Sequence, residues 1–172
     1  DLRIQGLAEQ AAREQVAELR QRNASNAAVV AIEPRRGEIL AMVGSVDYHN
    51  AAIAGQVNVA LADRQPGSTL KPFIYGLAFE DGFVHPESLI EDRPIRYGAY
   101  APENFDMTFQ GTVTVRKALQ MSLNVPAIAL LDRIGSNRLT ARIKQAGANL
   151  ILPKDETPGL AMGLGGVGIT LT

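Results

Sequence analysis

The sequence contains no cysteine and only two histidines, and each shortage excludes a kind of chemistry. Without cysteine the chain cannot form a disulfide, a thiolate nucleophile or a cysteine-ligated zinc site, although the cellular compartment stays open. A Ser-His-Asp triad would need His49 or His85 as its base, and neither lies in a recognisable catalytic setting. We therefore expect any acid–base chemistry to depend on other side chains.

Charge of one sign and long apolar runs are also missing. The formal net charge is −1 at pH 7, with acidic and basic residues interspersed, so we expect no nucleic-acid partner and no anionic membrane surface as partner. No apolar run approaches the roughly 20 residues that cross a bilayer, and the opening DLRIQGLAEQ lacks the features of a signal peptide. Membrane association is therefore expected only through parts of a parent protein outside this chain, and the glycine-rich ending GLGGVGITLT indicates a fragment.

Hydrophobic periodicity predicts an order of α, then β, then mostly α, which is a mixed α/β (α+β) fold class. The 172 residues suffice for one substantial core, so we expect a single partial domain over 1–172. A hairpin is expected around the turn Pro34-Arg35-Arg36-Gly37, and a proline-rich loop is expected after residue 82. The predicted helices are 2–22, 68–79, 112–121, 125–134 and 136–146, and the predicted strands are 27–33 and 38–45.

The stretch QPGSTLKPF places Ser68 at the start of a predicted helix, with Lys71 three residues later. A serine in this position is commonly an N-cap, whose side-chain oxygen accepts a hydrogen bond from the first turn. Residues i and i+3 share a helix face, however, so a lysine held neutral by burial could take the serine's proton. Pro72 disfavours helical backbone at Lys71 unless both lie in the first turn, so the helix should begin no later than Ser68.

A second short motif, Ser122-Leu123-Asn124, lies within LQMSLNVPA between two predicted helices. Alone it would be read as a turn or capping sequence. In this order, an S-x-x-K motif followed by an S-x-N motif is typical of penicillin-binding proteins and related serine acyl-transfer enzymes. The pair therefore favours Ser68 as a nucleophile over Ser68 as a simple cap.

Beyond the two motifs, the chain resembles the transpeptidase domain of class A penicillin-binding proteins, and most closely the penicillin-binding protein 1C group. The segments that carry the resemblance are AAVVAIEPRRGEILAMVGS, RQPGSTLKPFIYGLAFEDG, LIEDRPIRYGAYAPENFD and GTVTVRKALQMSLNVPAIALLDRIG. The resemblance implies the penicillin-binding protein/serine β-lactamase-like fold, in which a sheet is flanked by helices. It also implies an extracytoplasmic protein that crosslinks peptidoglycan stem peptides and is captured by β-lactams, on the periplasmic face of the bacterial inner membrane.

The resemblance also implies a role for each motif residue, and no metal or organic cofactor. Ser68 would attack the carbonyl between two D-alanines, Lys71 would be the base, Ser122 would relay a proton, and Asn124 would hydrogen-bond the substrate amide or the lysine. The third motif of the family, K-[ST]-G, is absent from this sequence. We expect it downstream, in a membrane-anchored parent that also carries a glycosyltransferase domain, and we expect residues 1–172 alone to be a weak catalyst or none.

Two other functions stay open at this point. A penicillin-sensing domain would use the same acylation without transferring the acyl group. A serine β-lactamase would need a further base for deacylation, and none of the glutamates Glu80, Glu87, Glu91 and Glu103 lies in a recognisable deacylation motif.

Two segments look functional but have simpler explanations. The glycines of MGLGGVG do not follow the G-x-G-x-x-G order of a nucleotide loop. The family resemblance implies that they line the edge of the active-site cleft and allow close backbone approach. Tyr97, Tyr100 and Phe105 lie in RPIRYGAYAPENFD, where we expect them to hold a long loop against the core; contact with substrate is the alternative.

Overall fold

A computed structural model describes residues 1–152 and 158–170, in two compact units, Asp1–Arg64 with Thr170 and Gln65–Ile169. The helices are α1 (Leu2–Glu18), α2 (Lys71–Glu80), α3 (Val115–Gln120), α4 (Asn124–Ile134) and α5 (Ser136–Gln145). The strands are β1 (Val29–Glu33), β2 (Glu38–Val43), β3 (Leu89–Asp92) and β4 (Gly111–Thr114). Short 3₁₀ turns lie at Arg20–Arg22, Ala51–Ile53, Val59–Leu61, Gly67–Leu70 and Leu160–Leu164. Across the described part of the chain, no helix is both long and apolar enough to cross a bilayer. The predicted mixed α/β class is confirmed.

The first unit is a helix on a hairpin. Helix α1 begins at Asp1, whose carboxylate accepts from the backbone N–H groups of Arg3 and Ile4, and it packs against β2. The amide of Gln5 pairs with the backbone of Met42 as a strand would, since it accepts from the Met42 N–H at 2.9 Å and donates to the Met42 carbonyl at 3.1 Å. The polar face of α1 thereby satisfies backbone groups at an edge of β2.

The predicted hairpin is confirmed. Strands β1 and β2 are antiparallel, with Val29 opposite Val43 and Glu33 opposite Glu38, and the register shifts between Ala31 and Ile32. At the turn, the Gly37 N–H donates to the Glu33 carbonyl at 2.8 Å, and Gly37 has φ +70°. A glycine in the left-handed region is what the turn sequence predicts, because other residues are strained there.

The second unit is built around α2 and α4, which pack against each other and bury the largest apolar side chains. Helix α4 ends at Gly135, as predicted, because the glycine takes φ +90°. Helix α5 likewise ends just before Gly147. The fully buried members of this core include Ile74, Tyr75, Ile128, Leu131 and Leu139.

One predicted helix is wrong at its start, and one pair of strands was missed. Residues 111–114 form β4, which pairs antiparallel with β3, so the helix predicted over 112–121 begins only at Val115. The β-branched Thr112, Val113 and Thr114 favour a strand. The Thr114 hydroxyl also accepts from the Lys117 N–H at 3.2 Å, which makes Thr114 the cap of α3.

The glycine-rich segment packs against the turn that carries Ser68. Gly163 faces Leu131 and Ile128 of α4, and a Cβ on Gly165 would lie 2.6 Å from the nitrogen and 2.8 Å from the Cα of Gly67. The expected close backbone approach is therefore confirmed. It places the 3₁₀ turn Leu160–Leu164 directly against Gly67–Leu70.

Replacing Gly165 by alanine will destabilise the protein more than replacing Gly82. Both glycines have positive φ, +100° and +67°, so alanine costs about 1–2 kcal/mol at either site. Only Gly165 faces backbone within van der Waals distance, which adds an overpacking cost of about 1–3 kcal/mol. Urea unfolding of the two variants measures the difference, and equal losses would show that Gly67 moves freely aside.

Candidate active site

Lys71 is a buried charged group at the first residue of α2. The residue is only 1% exposed. Pro72 follows it in the first turn, where the missing N–H is harmless. The preceding residues Gly67–Leu70 form a 3₁₀ turn, so the helical path does begin before Ser68, as the proline requires, but with a tighter first turn.

The Lys71 ammonium donates to three oxygens supplied by the S-x-N motif. Nζ lies 2.5 Å from the Ser122 carbonyl oxygen, 3.1 Å from Ser122 Oγ and 2.6 Å from Asn124 Oδ1. Ser122 can present both of its oxygens because it has φ +54°, which is uncommon for a residue other than glycine. The structure thus brings Lys71, Ser122 and Asn124 together, as predicted.

Burial sets the electrostatics of this site. It lowers the pKa of Lys71 to about 8, because desolvation disfavours the ammonium. One helical turn later, burial and then the Asp92 carboxylate raise the pKa of the Tyr75 phenol. The Tyr75 hydroxyl has no hydrogen-bond partner among the described residues. Because its pKa is about 8, Lys71 can lose its proton near neutral pH.

Ser68 is exposed on the 3₁₀ turn and its side chain does not cap a helix. The capping explanation is therefore not supported. The expected hydrogen bond between Ser68 and Lys71 is also absent from the described contacts. The reason is that an ammonium has three donors, and those of Lys71 are directed at Ser122 and Asn124.

Asn124 is held at two points by the segment Glu103-Asn104. The Asn124 backbone N–H donates to Asn104 Oδ1 at 2.8 Å, and Asn124 Nδ2 donates to the Glu103 carbonyl at 2.7 Å. Asn124 is the first residue of α4, and its N-cap Leu123 has no side chain that could cap the helix. Asn104 takes over that capping role from 20 residues upstream.

Asn104 is itself bonded to the buried carboxylate of Asp92. Asn104 Nδ2 donates to Asp92 Oδ1 at 2.8 Å, to Asp92 Oδ2 at 2.9 Å and to the Thr108 carbonyl at 2.8 Å. The Gln110 N–H donates to Asp92 Oδ2 at 2.8 Å. A buried carboxylate and a buried amide therefore satisfy each other.

Sequence analysis missed Asp92 and Asn104. Asp92 does carry a signal, since strand alternation in Leu-Ile-Glu-Asp puts it on the same face as the half-buried Ile90. Asn104 carries none, because an asparagine in the run Pro102-Glu103-Asn104 reads as a loop residue. Its partners lie 12 and 20 positions away in sequence, and only the tertiary fold joins them.

The aromatic loop is only partly as expected. Tyr97 and Tyr100 pair with each other through backbone hydrogen bonds and pack against the core. Phe105 does not pack against the core; its side chain is fully exposed.

Three of the four glutamates considered for deacylation are paired with arginines: Glu80 with Arg142, Glu87 with Arg116 and Glu91 with Arg93. Within the described ranges, no group of three or more His, Cys, Asp and Glu side chains could hold a metal.

Comparison with known families identifies the family of the chain. Residues 27–157 match the family model described as the penicillin binding protein transpeptidase domain. The chain belongs to the penicillin-binding protein transpeptidase family. This agrees with the resemblance inferred from the S-x-x-K and S-x-N motifs, both of which lie inside the matched range.

Curated relatives in this family match over most of the chain. It is 40% identical over 147 residues to penicillin-binding protein 1C of Escherichia coli (strain K12), a match over 86% of this chain and 19% of the relative. It is 37% identical over 146 residues to penicillin-binding protein 1F of Bacillus subtilis (strain 168), over 84% of this chain and 19% of the relative. The chain thus spans about a fifth of the length of these penicillin-binding proteins.

Solved structures of penicillin-binding proteins share the fold. PonA1 from Mycobacterium tuberculosis in complex with penicillin V superposes with a TM-score of 0.75 at 23% identity, covering 95% of this chain and 45% of that one. Penicillin-binding protein 1A from Haemophilus influenzae gives a TM-score of 0.68 at 27% identity, covering 84% of this chain and 21% of that one. The predicted fold is confirmed by these likenesses.

Proposed function

We propose that the chain carries the acyl-transfer site of a peptidoglycan D,D-transpeptidase. The supporting observation is that Lys71 is buried and hydrogen-bonded to Ser122 and Asn124. It lies three residues after Ser68, which is exposed. Ser68 caps no helix and precedes by three residues a lysine of lowered pKa, and a nucleophilic serine needs such a base nearby. The family match gives the reaction class, acyl transfer.

The reaction would proceed in two steps. Ser68 Oγ attacks the carbonyl between the two terminal D-alanines of a donor stem peptide, and the Ser68 proton passes to the base. The amide bond breaks, the leaving nitrogen takes a proton, and free D-alanine departs, leaving an ester on Ser68. The amine of a second stem peptide then attacks the ester, so a new amide forms and Ser68 recovers its hydrogen.

Lys71 would be the base of the first step. Its neutral form has a lone pair, and its pKa of about 8 makes that form accessible near physiological pH. In the structure the ammonium is bonded to the S-x-N motif. We infer that this is the resting arrangement, and that loss of the proton frees the amine to accept from Ser68.

Ser122 and Asn124 would handle the leaving group and the substrate amide. Ser122 Oγ lies 3.1 Å from Lys71 Nζ, so a proton can pass between them and on to the leaving nitrogen. The Asn124 amide nitrogen has two hydrogens and uses one on the Glu103 carbonyl. The second is available to a substrate carbonyl. The Ser68 backbone N–H would be one donor of the oxyanion hole.

The partners we propose follow from this chemistry. They are peptidoglycan stem peptides as substrates and β-lactams as covalent inhibitors, since the strained β-lactam amide mimics the D-alanyl-D-alanine bond. Penicillin V is bound in the PonA1 complex that shares this fold. Because peptidoglycan lies outside the cytoplasm, we place the protein at the extracytoplasmic face of the inner membrane.

The test is to incubate the full-length gene product with penicillin V and with a peptide ending in D-Ala-D-Ala. We expect a single stable penicilloyl adduct by intact-protein mass spectrometry, and release of D-alanine from the peptide. An adduct without D-alanine release would favour a penicillin-sensing domain. Continuous hydrolysis of penicillin V would favour a β-lactamase, and no adduct at all would refute the proposal.

A further inference from the structure

The orientation of the Asn104 side chain is determined by its neighbours. An ionised carboxylate only accepts hydrogen bonds, so Asp92 must face the Asn104 nitrogen, which donates to both carboxylate oxygens. The Asn104 oxygen is then left pointing at the Asn124 N–H, 2.8 Å away. Asp92 is completely buried and Asn104 is 4% exposed, so water cannot readily replace either partner.

The same reasoning extends to Asn124. The Glu103 carbonyl accepts from Asn124 Nδ2, so the Asn124 oxygen must face the other way, toward Lys71 Nζ at 2.6 Å. Bonds to the segment 103–104 therefore fix both the start of α4 and the direction of the Asn124 amide. A chain of hydrogen bonds runs from Asp92 through Asn104 and Asn124 to Lys71.

We propose that Asn104, oriented by the buried Asp92 carboxylate, is a positioning residue for the acylation site, and that it acts by holding Asn124 in register with Lys71. The inference rests on the proposed function of Lys71 and Asn124. Among the described residues Asn104 forms no hydrogen bond to Lys71 or Ser68, and its hydrogen bond to the site is the one to Asn124.

Two single variants test this in the full-length gene product, through the second-order rate constant for acylation by a fluorescent penicillin. Asn104→Ala removes the bond to the Asn124 N–H, and a displacement of catalytic groups by about 1 Å can lower a rate by about 10²-fold. Asn104→Asp sets two carboxylates against each other and should be at least as slow. Asp106→Ala is the matched control, because it removes two hydrogen bonds to Thr108 in the same loop but none to Asn124. It should acylate at the unsubstituted rate.

Exchanging the two residues separates positioning from general damage. In the double variant Asp92→Asn/Asn104→Asp, the amide introduced at position 92 can donate to the carboxylate introduced at position 104 and accept from the Gln110 N–H. That carboxylate can in turn accept from the Asn124 N–H, so only the Thr108 carbonyl loses its donor. We expect the double variant to acylate roughly 10-fold to 100-fold faster than Asn104→Asp alone, the factor that one charge-assisted hydrogen bond represents.

Hydrogen exchange at the Asn124 amide provides a readout that does not depend on acylation. Exchange should accelerate in Asn104→Ala and return toward the unsubstituted rate in the double variant. The proposal is overturned if Asn104→Ala acylates like Asp106→Ala, or if a folded double variant is as slow as Asn104→Asp. If the unsubstituted protein forms no adduct, the proposed function fails; unchanged Asn124 exchange in Asn104→Ala would separately refute the hydrogen-bond chain.

Discussion

Replacing Ser68 by alanine will abolish penicillin labelling of the full-length gene product. The Ser68 side chain is exposed, caps no helix and has no hydrogen-bond partner among the described residues, so its loss removes the nucleophile with little effect on the fold. Removing a nucleophile that acts together with its base lowers a rate by roughly 10⁶-fold. Intact-protein mass spectrometry after incubation with penicillin V is the measurement.

The neighbouring Thr69 provides the control. Its hydroxyl donates to the Pro66 carbonyl at 2.7 Å and lies one residue from Ser68 on the same turn. Thr69→Ala should keep the adduct and change the melting temperature slightly. If Ser68→Ala still acquires an adduct at the unsubstituted rate, another side chain is the nucleophile and the proposed mechanism is refuted.

Replacing Lys71 will lower the acylation rate by about 10²-fold to 10⁴-fold, the usual contribution of a general base. Lys71→Met keeps the aliphatic stem but has no amine. Lys71→Arg keeps the positive charge but cannot release a proton at any ordinary pH. Both should be slow if Lys71 is a base, whereas a purely electrostatic role would leave Lys71→Arg active. Lys144→Ala, at an exposed lysine of α5, is the control.

The same assignment fixes the pH dependence of the unsubstituted protein. Burial lowers the pKa of Lys71 to about 8, so the neutral amine is scarce below that pH and dominant above it. Acylation by penicillin V should therefore rise with pH through a midpoint of about 8 and level off above it, and Lys71→Arg should abolish this midpoint. A rate that falls as pH rises through this range would require the ammonium, and would exclude Lys71 as the base.

The local sequence predicted those turns and helix ends that depend only on residues adjacent in the chain. The hairpin turn at Gly37 and the helix end at Gly135 follow from glycines, which adopt positive φ without the steric cost that other residues meet. The pairing of β3 with β4 was missed because strand pairing depends on partners far apart in sequence. The local sequence Gly-Thr-Val-Thr is compatible with either a strand or the start of a helix. In the structure it pairs with β3, and Thr114 caps α3.

The site shows the same division. Lys71, Ser122 and Asn124 were predicted to meet because their two motifs are specific as a pair, and the family match includes both. The Ser68–Lys71 hydrogen bond was predicted from i, i+3 spacing and is not formed. Spacing of i, i+3 brings Ser68 and Lys71 to one face of a helix. The ammonium of Lys71 nevertheless donates to the Ser122 oxygens, which compete with Ser68 for its hydrogens.

The sequence by itself determined the family, the S-x-x-K and S-x-N motifs and the mixed α/β class, because motif identity and hydrophobic period are local properties. Only the tertiary structure decided that Lys71 is buried, that Ser122 takes a left-handed conformation, and that Asp92 and Asn104 support Asn124. Burial and hydrogen-bond pairing depend on which distant segments pack together. Those packed segments lower the pKa of Lys71 and fix the direction of the Asn124 amide, and neither effect can be predicted from the local sequence.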